Sequence, residues 1–227
     1  MDIIKKYFTD LTVKQESQFA ALQDLYADWN SKINLISRKD IDYLYEKHIL
    51  HSLGIAKIIR FTDGTTIMDA GTGGGFPGIP LAILFSNVQF LLLDSTGKKI
   101  KAADDIVRQI GLENVECCHA RVEDEKRTFN FVVSRAVMTL SDLVRTAGKN
   151  ISRHQQNAIP NGFLCLKGGD LREEIKPFRN LVVEYPLSDY FDEEFFKTKK
   201  VIYLAFLAKT QSREESHLNN SLNREEN

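Results

Sequence analysis

No stretch of this 227-residue chain is long and apolar enough to cross a membrane. Met1-Asp2-Ile3-Ile4-Lys5-Lys6 lacks the order of a secretory signal, so a cytoplasmic setting is expected. Cysteine is scarce. The 3 present are adjacent Cys117 and Cys118 and the apolar-embedded Cys165, which excludes a disulfide framework or a standard zinc site and predicts buried structural thiols. An excess of charge is missing too: 30 Lys and Arg against 31 Asp and Glu give −1, which excludes a uniformly basic nucleic-acid-binding surface. Local basic patches remain possible. Nothing such as a heptad seam demands a partner, and a monomer is expected.

Set against these absences is one dense stretch, Ile67-Met68-Asp69-Ala70-Gly71-Thr72-Gly73-Gly74-Gly75-Phe76-Pro77-Gly78-Ile79-Pro80. An apolar run feeds an acid, then a glycine cluster, then an apolar stretch through Phe85: the pattern of a parallel strand, a tight turn and a helix start. Of the 8 residues from Gly71 to Gly78, 5 are glycine, which suits a ligand lying against bare backbone. Gly73-x-Gly75-x-x-Gly78 also satisfies the dinucleotide fingerprint, with Asp94 near the place of its ribose-binding acid, so a dehydrogenase stands as the alternative. Two residues tilt the choice. Asp69 would repel a pyrophosphate but suits a ligand with ammonium and sulfonium groups, and Pro77 removes an amide that a phosphate would use. Asp69-x-Gly71-Thr72-Gly73-x-Gly75 therefore resembles the first motif of Rossmann-like methyltransferases, which implies S-adenosylmethionine as methyl donor.

Taken in order, the chain opens with an amphipathic helix from about Thr12 to Trp29, with Phe19, Leu22, Leu25, Tyr26 and Trp29 on its apolar side. A second helix is expected after Asp40 as N-cap, with Ile41, Leu44, Tyr45, His48 and Ile49 on one side. Residues 1–60 thus form a helical appendage, and 61–209 the main domain. In that domain strands at Thr66–Asp69, Gln89–Asp94, Val115–His119, Phe131–Ser134 and Phe163–Lys167 alternate with helices at Ile79–Phe85, Lys98–Ile110 and Leu140–Ser152. Such alternation predicts a mostly parallel, doubly wound α/β sheet, closed by antiparallel strands at Leu181–Tyr185 and Val201–Ala208. The polar residues 210–227 are expected to be a disordered tail.

In an open parallel sheet the ligand lies outside the carboxyl ends of the strands. There Asp94 can accept ribose hydroxyls, the alternative being a helix cap that Ser95 or Thr96 would supply better. The backbone of Val122 and Glu123 can meet an adenine edge beside Arg121, although a solvated charged loop explains these residues nearly as well. Arg135 ends a buried strand, where it can pair with a phosphate or the acceptor edge of guanine, unless Asp69, Glu123 or Asp142 takes it as an ion pair. Lys167 can bind phosphate or merely snorkel at the sheet end. Cys165 belongs to the core, which argues against a cysteine nucleophile. The fourth strand also lacks the Asn/Asp-Pro-Pro-aromatic signature for methylating exocyclic amines. An acceptor that needs no deprotonation is expected, such as N7 of guanine, reached by proximity and in-line alignment.

Beyond the glycine loop the chain carries Trp29-Asn30-x-x-Ile33-Asn34-Leu35, Lys47-His48-Ile49-Leu50-His51-Ser52, Leu93-Asp94-Ser95, Arg121-Val122-Glu123, Ser134-Arg135-Ala136 and Leu166-Lys167-Gly168. With these pieces it resembles the bacterial small-subunit (16S) ribosomal RNA guanine-N7 methyltransferases, the glucose-inhibited division protein B family, from about Trp29 to Ala208. The resemblance implies a class I methyltransferase fold, S-adenosylmethionine at Gly71, Phe76, Val122, Glu123 and Arg135 with Asp94 nearby, and no metal. It also implies RNA contact through Asn34, His48, Arg121, Arg135 and Lys167, although the residues alone would make Asn34 a turn residue and His48 a half-buried helix residue. A patch including Lys98, Lys99, Lys101 and Lys199/Lys200 would add salt-sensitive RNA affinity. Two positions depart from the family: His51 stands where an acid is usual, and Lys199/Lys200 where an arginine is frequent. A small-molecule methyltransferase and a non-catalytic RNA-binding assembly factor remain as alternatives.

Overall fold

Apolar residues at three- and four-residue steps make the first helices amphipathic, and their stripe decides where they lie. Asp2–Tyr7 (α1) precedes Val13–Lys32 (α2), whose start is closed by a reciprocal capping box between Thr12 and Gln15. The helical pattern after Asp40 is present but wound wide. Ile41–Tyr43 is a 3-10 turn, Leu44–Leu50 a π-helical stretch, and His51–Leu53 (α3) continues it. Asp40 makes no side-chain cap, contrary to expectation, because its carboxylate pairs with Lys47 at 2.9 Å.

In this computed structural model, which describes residues 1–206 except 38, 136, 137 and 179, one sheet of 7 strands organises the rest. The strands are Thr66–Ala70 (β1), Gln89–Asp94 (β2), Val115–His119 (β3), Phe131–Arg135 (β4), Gly162–Gly168 (β5), Val182–Pro186 (β6) and Lys199–Ala205 (β7). Their order is β3-β2-β1-β4-β5-β7-β6, with β1 to β5 parallel and β7 antiparallel to both β5 and β6. The chain runs outward from β1 to β3 and then returns to β4 on the other side, so the topological switch point lies between β1 and β4. The expected end of the last strand at Ala208 and the tail of residues 210–227 lie outside the described residues.

Alternation along the strands feeds two cores. Ile67, Phe90, Leu92, Phe131 and Val133 face one, covered by Gly78–Leu84 (α4), Gly97–Gln109 (α5) and the N-terminal helices. Met68, Leu91, Leu93, Val132 and Phe163 face the other, under Leu140–Ala147 (α6) and Arg172–Ile175 (α7). Phe19, Leu22, Tyr26, Leu44 and Ile49 belong to the first of these cores, so the first sixty residues share the sheet's apolar interior. Gly111 ends α5 with φ +65°, as its position predicts. Cys165 is buried, but Cys117 and Cys118 are only half-buried, because β3 is an edge strand with one flank uncovered. Burial pushes the Cys117 and Cys165 thiols up to about 12, far from a nucleophile's range.

Candidate active site

A cavity of about 580 Å³ opens at the carboxyl ends of β1, β2 and β4, within the size range of small-molecule sites. One wall is the loop Gly71–Gly74 with Phe76; another is the β2 end, Leu93–Thr96, with Lys99; a third is Ala120–Glu123; Arg135, Met138 and Leu35 complete it. At two positions the loop leaves no room for a side chain. Gly75 has φ +99°, and a Cβ there would lie 2.3 Å from Ile79 Cδ1. A Cβ on Gly78 would lie 2.8 Å from Asp69 Oδ2.

Asp69 itself does not line the cavity. Alternation turns it to the α4 side of the sheet, where it is fully buried beneath the loop and accepts from Thr72 Oγ1 at 2.6 Å and the Gly78 amide at 2.8 Å. Its place is to hold the loop's shape. Its second oxygen has no hydrogen-bond partner, and burial pushes the carboxyl up to about 7 against the pull of those two donors. Asp94 does face the cavity, accepting from the Gly73 amide at 2.9 Å and the Thr96 amide at 2.7 Å. Each of its oxygens retains acceptor capacity for a hydroxyl. Thr96 occupies the N-cap of α5 without a side-chain cap bond.

Arg135 ends β4 at the cavity wall, and none of its proposed carboxylate partners holds it. Its guanidinium lies 4.7 Å from the Phe76 ring centroid, with Nη2 3.0 Å from His48 Nδ1 and Nη1 3.4 Å from the Lys47 carbonyl. Among the described residues no carboxylate forms an ion pair with it. Burial lowers the guanidinium to about 10, still cationic at neutral pH. Burial and the neighbouring arginine drive His48 down to about 3, so the imidazole is neutral and its Nδ1 accepts from Arg135.

The structure thus brings Gly71, Gly73, Phe76, Asp94, Arg121, Val122, Glu123 and Arg135 to one cavity, with His48 behind Arg135. Gly75 shapes the loop without lining the cavity. Other expected residues stand apart. Asn34 is exposed on the turn after α2, where Asn30 Oδ1 accepts from the Leu35 and Ile36 amides and leaves Leu35 on the cavity wall. Lys167 is paired with Glu174 at 2.8 Å and donates to the Met138 carbonyl. Lys200, beside Lys167 in register, is paired with Glu184 at 2.7 Å. Leu35 and Met138 line the cavity and were not legible as site residues, nor was Tyr26, which bonds to the Gly74 carbonyl behind the loop and sits on the apolar stripe of α2, where it reads as core.

The bare loop, the free acceptor capacity of Asp94, the exposed Glu123 and the cavity's size fit S-adenosylmethionine, with its hydroxyls and its ammonium. Sheet order and site together define a class, the S-adenosylmethionine-dependent methyltransferases of α/β type. The fold matches a solved SAM-dependent methyltransferase from Aquifex aeolicus with TM-score 0.51 and 15% identity, covering 76% of this chain and 100% of that one. The chain belongs to the family described as rRNA small subunit methyltransferase G, whose profile matches residues 15–211. Relatives named ribosomal RNA small subunit methyltransferase G include one from Bacteroides thetaiotaomicron, 63% identical over 203 residues, covering 89% of this chain and 98% of that protein. Another, from Bacteroides fragilis, is 61% identical over 204 residues, covering 90% and 99%.

Proposed function

We propose that this protein transfers a methyl group from S-adenosylmethionine to N7 of a guanine in 16S ribosomal RNA. The observation that carries the acceptor is Arg135: a cation on the cavity wall, held by Phe76 and His48 and, among the described residues, in no ion pair with a carboxylate. A guanidinium there can hydrogen-bond the O6 edge of guanine or a phosphate while leaving N7 free. N7 carries a lone pair and no proton, so no general base is required, and His48, held neutral with Nδ1 engaged, is not poised as one. S-adenosylmethionine supplies a methyl on a sulfonium; the positive charge passes to the purine as the sulfur becomes neutral. The chain's residues then act by position. Asp94 and Glu123 hold the donor half, Arg135 orients the acceptor, and Arg121 on the exposed rim contacts RNA.

In this reading residues 1–60 are an appendage to a catalytic domain of residues 61–209. The substrate is the RNA within the small subunit or an assembly intermediate, and the enzyme is a cytoplasmic monomer. Among the described residues no helix is long and apolar enough to cross a membrane. Asn34, on the turn after α2, and Lys167 and Lys200, at the carboxyl end of β5 and on the strand beside it, contribute to RNA binding, the two lysines by exchanging glutamate partners for phosphate.

The test is transfer of labelled methyl to small-subunit particles and to deproteinised 16S RNA, both from cells lacking this protein, followed by chemical cleavage at N7-methylguanine. A single cleavage site is expected. Donor binding without incorporation into either substrate would refute the RNA reading and favour a small-molecule methyltransferase or an assembly factor.

A further inference from the structure

Helix α2 is joined to the methyltransferase fold by four donors along its inner side. Gln15 Nε2 reaches the Ile83 and Leu84 carbonyls, Gln18 Nε2 the Ile110 carbonyl, and Trp29 Nε1 the Asp105 carboxylate at 2.7 Å. The bonds from these three donors end on helices or beside them. The fourth is different: the Tyr26 hydroxyl donates to the carbonyl of Gly74, inside the donor loop, at 2.7 Å. Tyr26 is fully buried, and its ring stacks on Phe76 with centroids 4.8 Å apart and planes 24° from parallel. Gly74 and Phe76 both line the cavity, and Phe76 also carries the Arg135 guanidinium. Clearance is small, since a Cβ on Gly75 would stand 3.2 Å from the Tyr26 hydroxyl.

We infer that Tyr26 is a positioning residue for the methyl donor: its hydroxyl orients the Gly74 peptide and its ring fixes Phe76, so the N-terminal appendage sets donor affinity. The inference rests on reading the cavity as the S-adenosylmethionine site. A glycine-rich loop has few side chains of its own to hold it, and each peptide left free to rotate lowers the population ready to bind. Tyr26 removes that freedom from outside the loop and does not line the cavity. The same ring, through Phe76, fixes the platform on which Arg135 rests, which places donor and acceptor sites on one packed column.

Two conservative variants of the full chain test this. Tyr26→Phe keeps the stack and deletes the bond to Gly74; Trp29→Phe deletes the bond to Asp105, which lies on α5 and not in the loop. Calorimetric titration with S-adenosylhomocysteine is the readout, with thermal melting alongside. Tyr26→Phe should weaken binding about three- to tenfold, the range expected for one neutral hydrogen bond, and raise KM for the donor more than it lowers kcat. Trp29→Phe should melt earlier and bind as the wild type does. Unchanged binding in Tyr26→Phe, or equal weakening in both variants, would overturn the inference. A wild-type protein that does not bind S-adenosylhomocysteine would instead overturn the reading of the cavity.

Discussion

Replacing Arg135 with methionine, which keeps an unbranched stem against Phe76 and deletes the charge, should leave the fold standing and slow the reaction by roughly a hundredfold or more. Burial holds the guanidinium at about 10 instead of its ordinary 12.5, so the folded state disfavours the charge by about 3 kcal/mol, at about 1.4 kcal/mol per pKa unit. Against this stand the contact with the Phe76 ring, about 1–2 kcal/mol, and hydrogen bonds to His48 and the Lys47 carbonyl, together about 1–3 kcal/mol. The opposing contributions nearly cancel, and Arg135→Met should melt within about 5 °C of the wild type. Losing a charge-assisted contact to the acceptor removes about 3–4 kcal/mol in the transition state, or roughly 10²–10³ in kcat/KM. The assay pairs thermal melting with methyl transfer to 16S RNA. A folded variant slowed by less than about fivefold would refute the role given to Arg135. A melting temperature lowered by about 15 °C would show instead that the arginine is structural.

Asp69, raised by burial to about 7 from 3.8, binds its proton more tightly in the folded state. Its contribution to stability is therefore full below about pH 4 and falls as pH rises to about 7, by roughly 4 kcal/mol; comparing denaturant unfolding of Asp69→Asn and wild type at pH 5 and 7.5 should show a flatter profile in the variant, and parallel profiles would refute the shift. Gly75→Ala forces a Cβ into Ile79 at φ +99° and should cost about 2 kcal/mol or more and weaken S-adenosylhomocysteine binding, whereas Gly64→Ala, at φ +79° with open space around it, should carry the backbone cost alone and bind normally. Equal donor affinity in the two glycine variants, by calorimetry, would remove the special role of the loop.

The sheet was legible because parallel strands buried on both faces are near-continuous apolar runs: Phe90 to Leu93 and Phe131 to Val133 admit few alternatives. Cavity residues at strand ends, Asp94 and Arg135 among them, followed from the switch-point rule. What escaped depended on direction or on distance in sequence. Asp69 was recognised as significant, but a period of two decides whether it meets the ligand or the underside of α4, and the loop covers it. Lys167 reads as a free cation until α7 brings Glu174 beside it. Asp40 has the right spacing for a cap and a stronger partner seven residues on. Tyr26 looks like any other member of an apolar stripe, and only the hydroxyl distinguishes it from Phe19 on the same helix.

The bonds from α2 also bear on how the protein is made. Their partners lie 48 residues on for Tyr26, 68 for Gln15, 76 for Trp29 and 92 for Gln18. Synthesis runs from the amino terminus, so α2 emerges before the sheet and finds the last of its partners only after Ile110 has left the ribosome. In the interval Phe19, Leu22 and Tyr26, all fully buried in the finished molecule, face water or a chaperone. An enzyme that modifies the small subunit would thus begin life with its own longest helix waiting on the output of a ribosome.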